Sequence, residues 1–227
     1  SLIQKKVDAI GISVNDPTAL KDVINKAVEA GIPVSTWDSD SPESNRLFYL
    51  GTDNYAGGFK CGEIMKELLP VAEESNVKMA AHPDDPPFAV VRGTPRLVWR
   101  PELYRRLLDL YPSHCNTLEL CVGTLAEMNG VNYYRAIDEF AARDAIGYVH
   151  LRNVRGQVPN YRETFIDDGD IDIYRVLKIL HANDFRGAII PDHSPLVSGP
   201  APWHTGMAYA LGYIRAMMQR VEKDAGR

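Results

Sequence analysis

The chain has 227 residues, 45% of them hydrophobic and 24% charged. Those proportions describe an ordinary globular protein and exclude a disordered, collagen-like or disulfide-dense chain. Lys and Arg number 25 against 30 Asp and Glu, a net charge of −5, which argues against a nucleic-acid partner. No run approaches the roughly 18 apolar residues that a membrane span requires, so no membrane partner is expected.

The opening Ser1-Leu2-Ile3-Gln4-Lys5-Lys6 has no apolar signal segment and reads as the end of a helix. With Cys61, Cys115 and Cys121 an odd and sparse set, the expectation is a reducing, cytoplasmic setting. The first predicted strand is 7–13. A helix then opens at Asp16-Pro17, repeats apolar residues at helical spacing through Val28, and stops at Gly31. Strands at 32–37 and 47–52 follow. The Ser/Pro-rich link 38–46 between them is too short for the usual parallel crossover. A helix capped by Asp53 or Asn54 runs to about Ser75, and Pro70 within it is expected to kink or break it.

Four more strands are predicted at 77–82, 117–122, 146–151 and 187–192. They are interleaved with helices at 101–110, 133–143, 171–183 and 204–221. Alternating strands and helices make the class α/β with parallel βα units, TIM-barrel-like. Seven strands fall one short of a closed eight-stranded barrel, so incomplete closure is expected. Exposed strand edges would make a homodimer partner plausible on physical grounds. The segment 153–165 is read as a loop.

Ligands gather at the carboxyl ends of parallel strands. Four successive predicted strands run into metal-ligand types there: His82, Cys121, His150 and Asp192. Each alone reads as an ordinary residue: a hydrogen-bonded rim histidine, a small buried thiol or a helix cap. Together they point to one divalent ion, and the mixed donor set suits Zn²⁺, Co²⁺ or Mn²⁺.

From about Val71 to Met217 the chain resembles the C-terminal half of the mannonate dehydratases, TIM-barrel lyases. The resemblance is carried by His82-Pro83-Asp84-Asp85-Pro86-Pro87, by Leu118-Glu119-Leu120-Cys121-Val122-Gly123-Thr124-Leu125-Ala126-Glu127-Met128, and by His150-Leu151-Arg152-Asn153-Val154-Arg155-Gly156. It continues in Glu163-Thr164-Phe165-Ile166-Asp167-Asp168-Gly169-Asp170 and Pro191-Asp192-His193. The resemblance implies Mn²⁺ held by His82, Cys121, His150 and Asp192, and the loss of water from D-mannonate to give 2-keto-3-deoxygluconate. A bound cation would spread the charge that builds when a proton leaves the carbon beside a carboxylate. Asp192, His193 and Tyr209 are the candidate acids and bases. Arg152, with Asn153 beside it, is the candidate clamp for a sugar acid or small anion.

Residues 7–69 resemble a different family, the ribose-type periplasmic sugar-binding proteins. Asp8-Ala9-Ile10-Gly11-Ile12-Ser13-Val14-Asn15-Asp16-Pro17, Ala30-Gly31-Ile32-Pro33-Val34, Asp38-Ser39-Asp40-Ser41-Pro42 and Gly51-Thr52-Asp53-Asn54-Tyr55-Ala56-Gly57-Gly58 carry it. In that family the residues matching Asn15 and Asp38 lie near the sugar, but only a fragment of such a protein is present. The combined expectation is a chimera, with residues 1–70 of binding-protein type and 71–227 of dehydratase type, fused into one structural domain. It would keep a metal site while dehydrating mannonate weakly or not at all. The alternatives are an inactive scaffold and, behind it, a monosaccharide-binding module.

Overall fold

The structure is a computed structural model that describes residues 1–92 and 94–226, without the side chain of Asn54. In chain order its first elements are β1 (Ile10–Ile12), α1 (Pro17–Glu29), β2 (Val34–Trp37), β3 (Phe48–Leu50), α2 (Asn54–Ser75) and β4 (Met79–Ala81). Next come β5 (Val90–Val91), β6 (Thr94–Pro95), α3 (Pro101–Leu110), β7 (Asn116–Cys121), α4 (Val122–Glu127), α5 (Tyr133–Ala142) and β8 (Ile146–His150). The last are β9 (Asn153–Gln157), β10 (Asn160–Thr164), α6 (Ile173–Ala182), β11 (Ala188–Ile190) and α7 (Pro202–Asp224). Among the described residues no helix is long and apolar enough to cross a membrane.

The chain divides into two compact units, one of residues 1–65 with 89–96, the other of 66–88 with 97–227. In the first, β1, β2 and β3 form a parallel sheet in that order. Asp16 caps α1 by accepting from the Thr18 and Ala19 backbone N–H groups, as a helix N-terminus requires. Gly31 closes the helix with φ +80°, the left-handed conformation glycine adopts without strain. The helix-free link from β2 to β3 is fastened by Asp40, which accepts from Thr36, from the Ser41 N–H and from both ends of the Arg46 fork. Val14, Ile24, Ala27 and Val34 make a small core beneath this sheet.

The second unit holds a four-stranded parallel sheet in the order β4-β7-β8-β11. Chain order and spatial order coincide, the pattern that successive right-handed βα crossovers produce. Every residue of β7 is buried. Around it Leu118, Leu120, Val122, Ile137, Phe140, Val149, Val176 and Leu180 belong to one continuous core that reaches Ile214 of α7.

Closure is incomplete, as seven strands led one to expect: they hydrogen-bond as a three-stranded and a four-stranded sheet, and among the described residues neither sheet closes into a barrel. Two other expectations change. Pro70 does not end its helix, since α2 continues to Ser75; a proline removes one backbone donor, and the rest of the ladder carries the helix on. The predicted loop 153–165 is an antiparallel hairpin, with Asn153 opposite Thr164 and Gln157 opposite Asn160.

Candidate metal centre

The four-stranded sheet brings His82, Cys121 and His150 together. His82 follows β4 directly, and Cys121 and His150 are the last residues of the adjacent strands β7 and β8, paired in register. Each offers one ligand atom, and those atoms lie within 4.8 Å of one another. Asp192, just past β11, stands outside this group of three but reaches its edge, with Oδ1 3.3 Å from His150 Nδ1.

Strand alternation sets which side chains share the sheet face. Residues two apart point the same way, so Glu119 accompanies Cys121 on β7 and Tyr148 accompanies His150 on β8. Glu119 Oε1 lies 2.8 Å from His150 Nε2 and 3.9 Å from His82 Nε2. The Tyr148 hydroxyl donates to the other Glu119 oxygen, and that bond pushes the phenol up to about 12. A hydrogen bond with Cys121 is the largest influence on His150 and holds it above the usual imidazole range, against the opposing effect of burial. The Cys121 sulfur also accepts from the Thr124 N–H at 3.5 Å, capping α4.

The residues fit a divalent ion on two counts. Two imidazoles and a thiol are a donor set that borderline metals take. The buried His150 Nδ1 makes no hydrogen bond, and its approach to Asp192 lacks the alignment of one. A buried polar atom without a partner is costly, and an ion would supply one.

Arg152 sits beside the cluster, 4% exposed, in a ring of carboxylates. Its Nη2 donates to Asp85 Oδ2 at 2.5 Å and to Glu127 Oε1 at 2.9 Å. Its Nη1 lies 3.2 Å from Asp192 Oδ2 and 3.4 Å from Glu163 Oε1. Gly123 makes this possible, because a Cβ there would run into the Arg152 side chain. Burial works to raise Asp85, but the Arg152 charge and hydrogen bond outweigh it and hold Asp85 low. Glu127 is pushed up to about 8, by desolvation first and by the Asp85 charge second.

The other sequence-predicted residues are placed as follows. His193 lies at the same rim, its Nδ1 2.6 Å from Glu163 Oε2 and its Nε2 3.2 Å from Arg152 Nη1. Asn153 is buried, and its whole amide serves the backbone: Nδ2 donates to the Ile166 and Ile171 carbonyls, and Oδ1 accepts from the Val154 and Ile171 N–H groups. It holds the hairpin and offers no free group to a substrate. Tyr209, on α7, meets the Phe165 ring edge-on at 6.1 Å between centroids. Its phenol is raised by a hydrogen bond with Asp167, and the two line one open cavity with Phe165, Val197 and Thr205. Asn15 and Asp38 belong to the other unit. Asn15 is exposed. Asp38, at φ +62°, accepts from Ser13 Oγ at 3.5 Å and lines a cavity with Trp37, Thr52 and Arg92.

The family model for D-mannonate dehydratase matches residues 59–226, and that for a periplasmic binding protein domain matches 1–95. A mannonate dehydratase of Lactococcus lactis subsp. cremoris is 30% identical over 222 residues, 92% of this chain and 62% of the relative. One of Streptococcus pneumoniae is 40% identical over 171 residues, 72% of this chain and 46% of the relative. The chain thus spans about half to three fifths of these relatives' length. The crystal structure of mannonate dehydratase from Streptococcus suis serotype 2 matches 93% of the chain and 71% of its own, at TM-score 0.67 and 27% identity.

Proposed function

Since the chain belongs to the mannonate dehydratase family, we propose that it keeps that family's divalent metal centre on the β4-β7-β8-β11 sheet, binds a sugar acid there, and dehydrates mannonate slowly if at all. The observation that carries this reading is the meeting of His82, Cys121 and His150, from three separate βα units, within 4.8 Å. Asp192, 3.3 Å from His150 Nδ1, is the candidate fourth ligand. Mn²⁺ is the ion expected from the family, with Zn²⁺ and Co²⁺ as competitors for the thiol.

In the dehydration, a proton leaves the carbon beside the carboxylate, a hydroxyl leaves the next carbon as water, and the resulting enol becomes the 2-keto acid. A bound divalent ion supplies Lewis-acid stabilisation of the charge on the substrate carboxylate. His193 is the exposed group able to move the proton, with Glu163 Oε2 2.6 Å from Nδ1 and Nε2 the nitrogen offered to the substrate. Arg152, next to Nε2, is the candidate clamp for a sugar acid, which would have to take the place of one of the carboxylates its fork now engages.

Slow turnover follows from what surrounds the cluster. Family substrate pockets are built on a whole barrel rim, and the cluster here stands on four parallel strands. A catalytic group displaced by about 1 Å can lose on the order of 10²-fold in rate. The same reading joins a binding-protein-type segment to a dehydratase-type sheet and takes a second copy of the chain as the partner for an open edge.

The test is calorimetric titration with Mn²⁺, then a mannonate assay beside the Lactococcus lactis relative. One ion per chain with a rate at least about 10²-fold below the relative is expected. No metal binding would leave an inert scaffold, and equal rates would overturn the claim of slow turnover. A monosaccharide role for Asp38 and Asn15 has one observation in its favour, the cavity that Asp38 lines with Trp37 and Arg92. Stabilisation by a pentose or hexose in a thermal-shift screen would support it, and a flat screen would dismiss it.

A further inference from the structure

Glu119 and Tyr148 are not accounted for by the metal ligands or by the acid–base groups, yet both face the cluster. We propose that Glu119, anchored by Tyr148, fixes His150 with its proton on Nε2 and its lone pair on Nδ1, so that His150 presents Nδ1 to the ion. The inference rests on the metal reading above and makes Glu119 and Tyr148 positioning residues.

The two ring nitrogens of His150 have different surroundings. Nε2 lies 2.8 Å from Glu119 Oε1, an ion-pair contact. A carboxylate can only accept, so a proton shared across that contact is one that Nε2 carries. Nδ1 is buried without a hydrogen bond, and 3.3 Å away stands Asp192 Oδ1. Two ligands each about 2.0–2.2 Å from one tetrahedral ion lie roughly 3.3–3.5 Å apart. The Nδ1 to Oδ1 separation is compatible with two atoms that share an ion.

The strands enforce this arrangement. The register of β7 against β8 shifts between Leu118 and Glu119, after which Glu119 pairs with Tyr148 and Cys121 with His150. Same-face alternation along each strand then makes a block of four: two ligands at the rim and their two supports one layer below. Tyr148 donates to the Glu119 oxygen that His150 does not use, which holds the carboxylate in place. Imidazoles that bind metals usually donate their other N–H to a carboxylate, and losing that partner typically costs 10–100-fold in metal affinity.

The experiment uses the full chain labelled with ¹⁵N at histidine and loaded with Zn²⁺, with long-range ¹H–¹⁵N spectra assigned through a His150→Gln variant. A protonated Nε2 and a metal-shifted Nδ1 on His150 are expected. In chelator competition, Glu119→Gln should weaken Zn²⁺ binding 10–100-fold, and Tyr148→Phe should weaken it less. Zinc bound through Nε2 would overturn the inference while leaving the metal reading intact, and so would unchanged affinity in Glu119→Gln. If the unaltered chain binds no zinc, both fall. The tautomer spectrum needs neither Glu119 nor Tyr148 changed, so a poorly folding variant does not blunt it.

Discussion

Arg152 Nη2 donates to Glu127 Oε1 at 2.9 Å, and Glu127 is wholly buried. That guanidinium is the counter-charge for Asp85, Glu163 and Asp192 together, and it also hydrogen-bonds the Glu127 carboxyl. Removing one partner of a buried ion pair leaves charge uncompensated and costs about 3–5 kcal/mol. Arg152→Met is expected to lose stability on that scale, read as a lower urea midpoint with little change in slope. A shift near zero would mean the carboxylates re-protonate without penalty.

Glu127 makes stability depend on pH. Its folded value of about 8 lies above the ordinary glutamate value, so between the two the folded state holds a proton that the unfolded chain has released. The contribution is complete below about pH 4.5 and declines as pH rises toward 8. Urea midpoints from pH 5 to 9 should fall with pH in the native chain. In Glu127→Gln, which cannot release a proton there, that decline should be visibly smaller. Parallel profiles for the two proteins would contradict the assignment.

Metal should stabilise the fold through the cluster. Free ion at 100 times its dissociation constant adds about 2.7 kcal/mol. Co²⁺ is expected to raise the melting temperature of the native chain and to give a thiolate-to-cobalt absorption band. Excess chelator should reverse both. Cys121→Ser should lose the band, and His82→Ala should lose most of the stabilisation. A band that survives Cys121→Ser would move the thiol contact to another cysteine.

Asn153 ties the hairpin to the segment that follows it. Its four backbone hydrogen bonds are buried, and truncation would strand several of their partners. Asn153→Ala is expected to destabilise by about 2–4 kcal/mol. The backbone amides of Val154 and Ile171 should lose hydrogen-exchange protection before the rest of the core. Uniform loss of protection across the core would argue for a global effect instead.

Much of this was readable from residue order. The parallel strands announce themselves as apolar, β-branched runs, and their polar last residues mark His82, Cys121 and His150. The hairpin β9–β10 was hidden because Arg155, Gly156, Gln157, Asn160 and Arg162 carry no apolar run, and its stability comes from Asn153 and the pairing itself. The six residues of α4 were hidden for the opposite reason: Val122 to Ala126 is as apolar as the strand before it. Within the site, Glu119 and Tyr148 are legible only through their spacing of two from Cys121 and His150, which places them on the same face. Asp85, Glu127 and Glu163 had no such signal, since only the folded chain sets them around Arg152. Pro70 does not break α2, because a long helix with packed residues on either side tolerates one missing donor.

The register shift between Leu118 and Glu119 bears on how such sheets are cut and rejoined. Upstream of it Leu118 faces Ile146, downstream Glu119 faces Tyr148, and Gly147 is passed over. A side chain at Gly147 would strike Thr117 Oγ1 and Ala80 Cβ, so the skipped position admits little besides glycine. A graft that imports β7 without its matching β8, or trims a single residue from either, would turn the imidazole and the thiol to opposite sides of the sheet. The two strands therefore travel between proteins as a pair, and a splice point is safer in the helices around them.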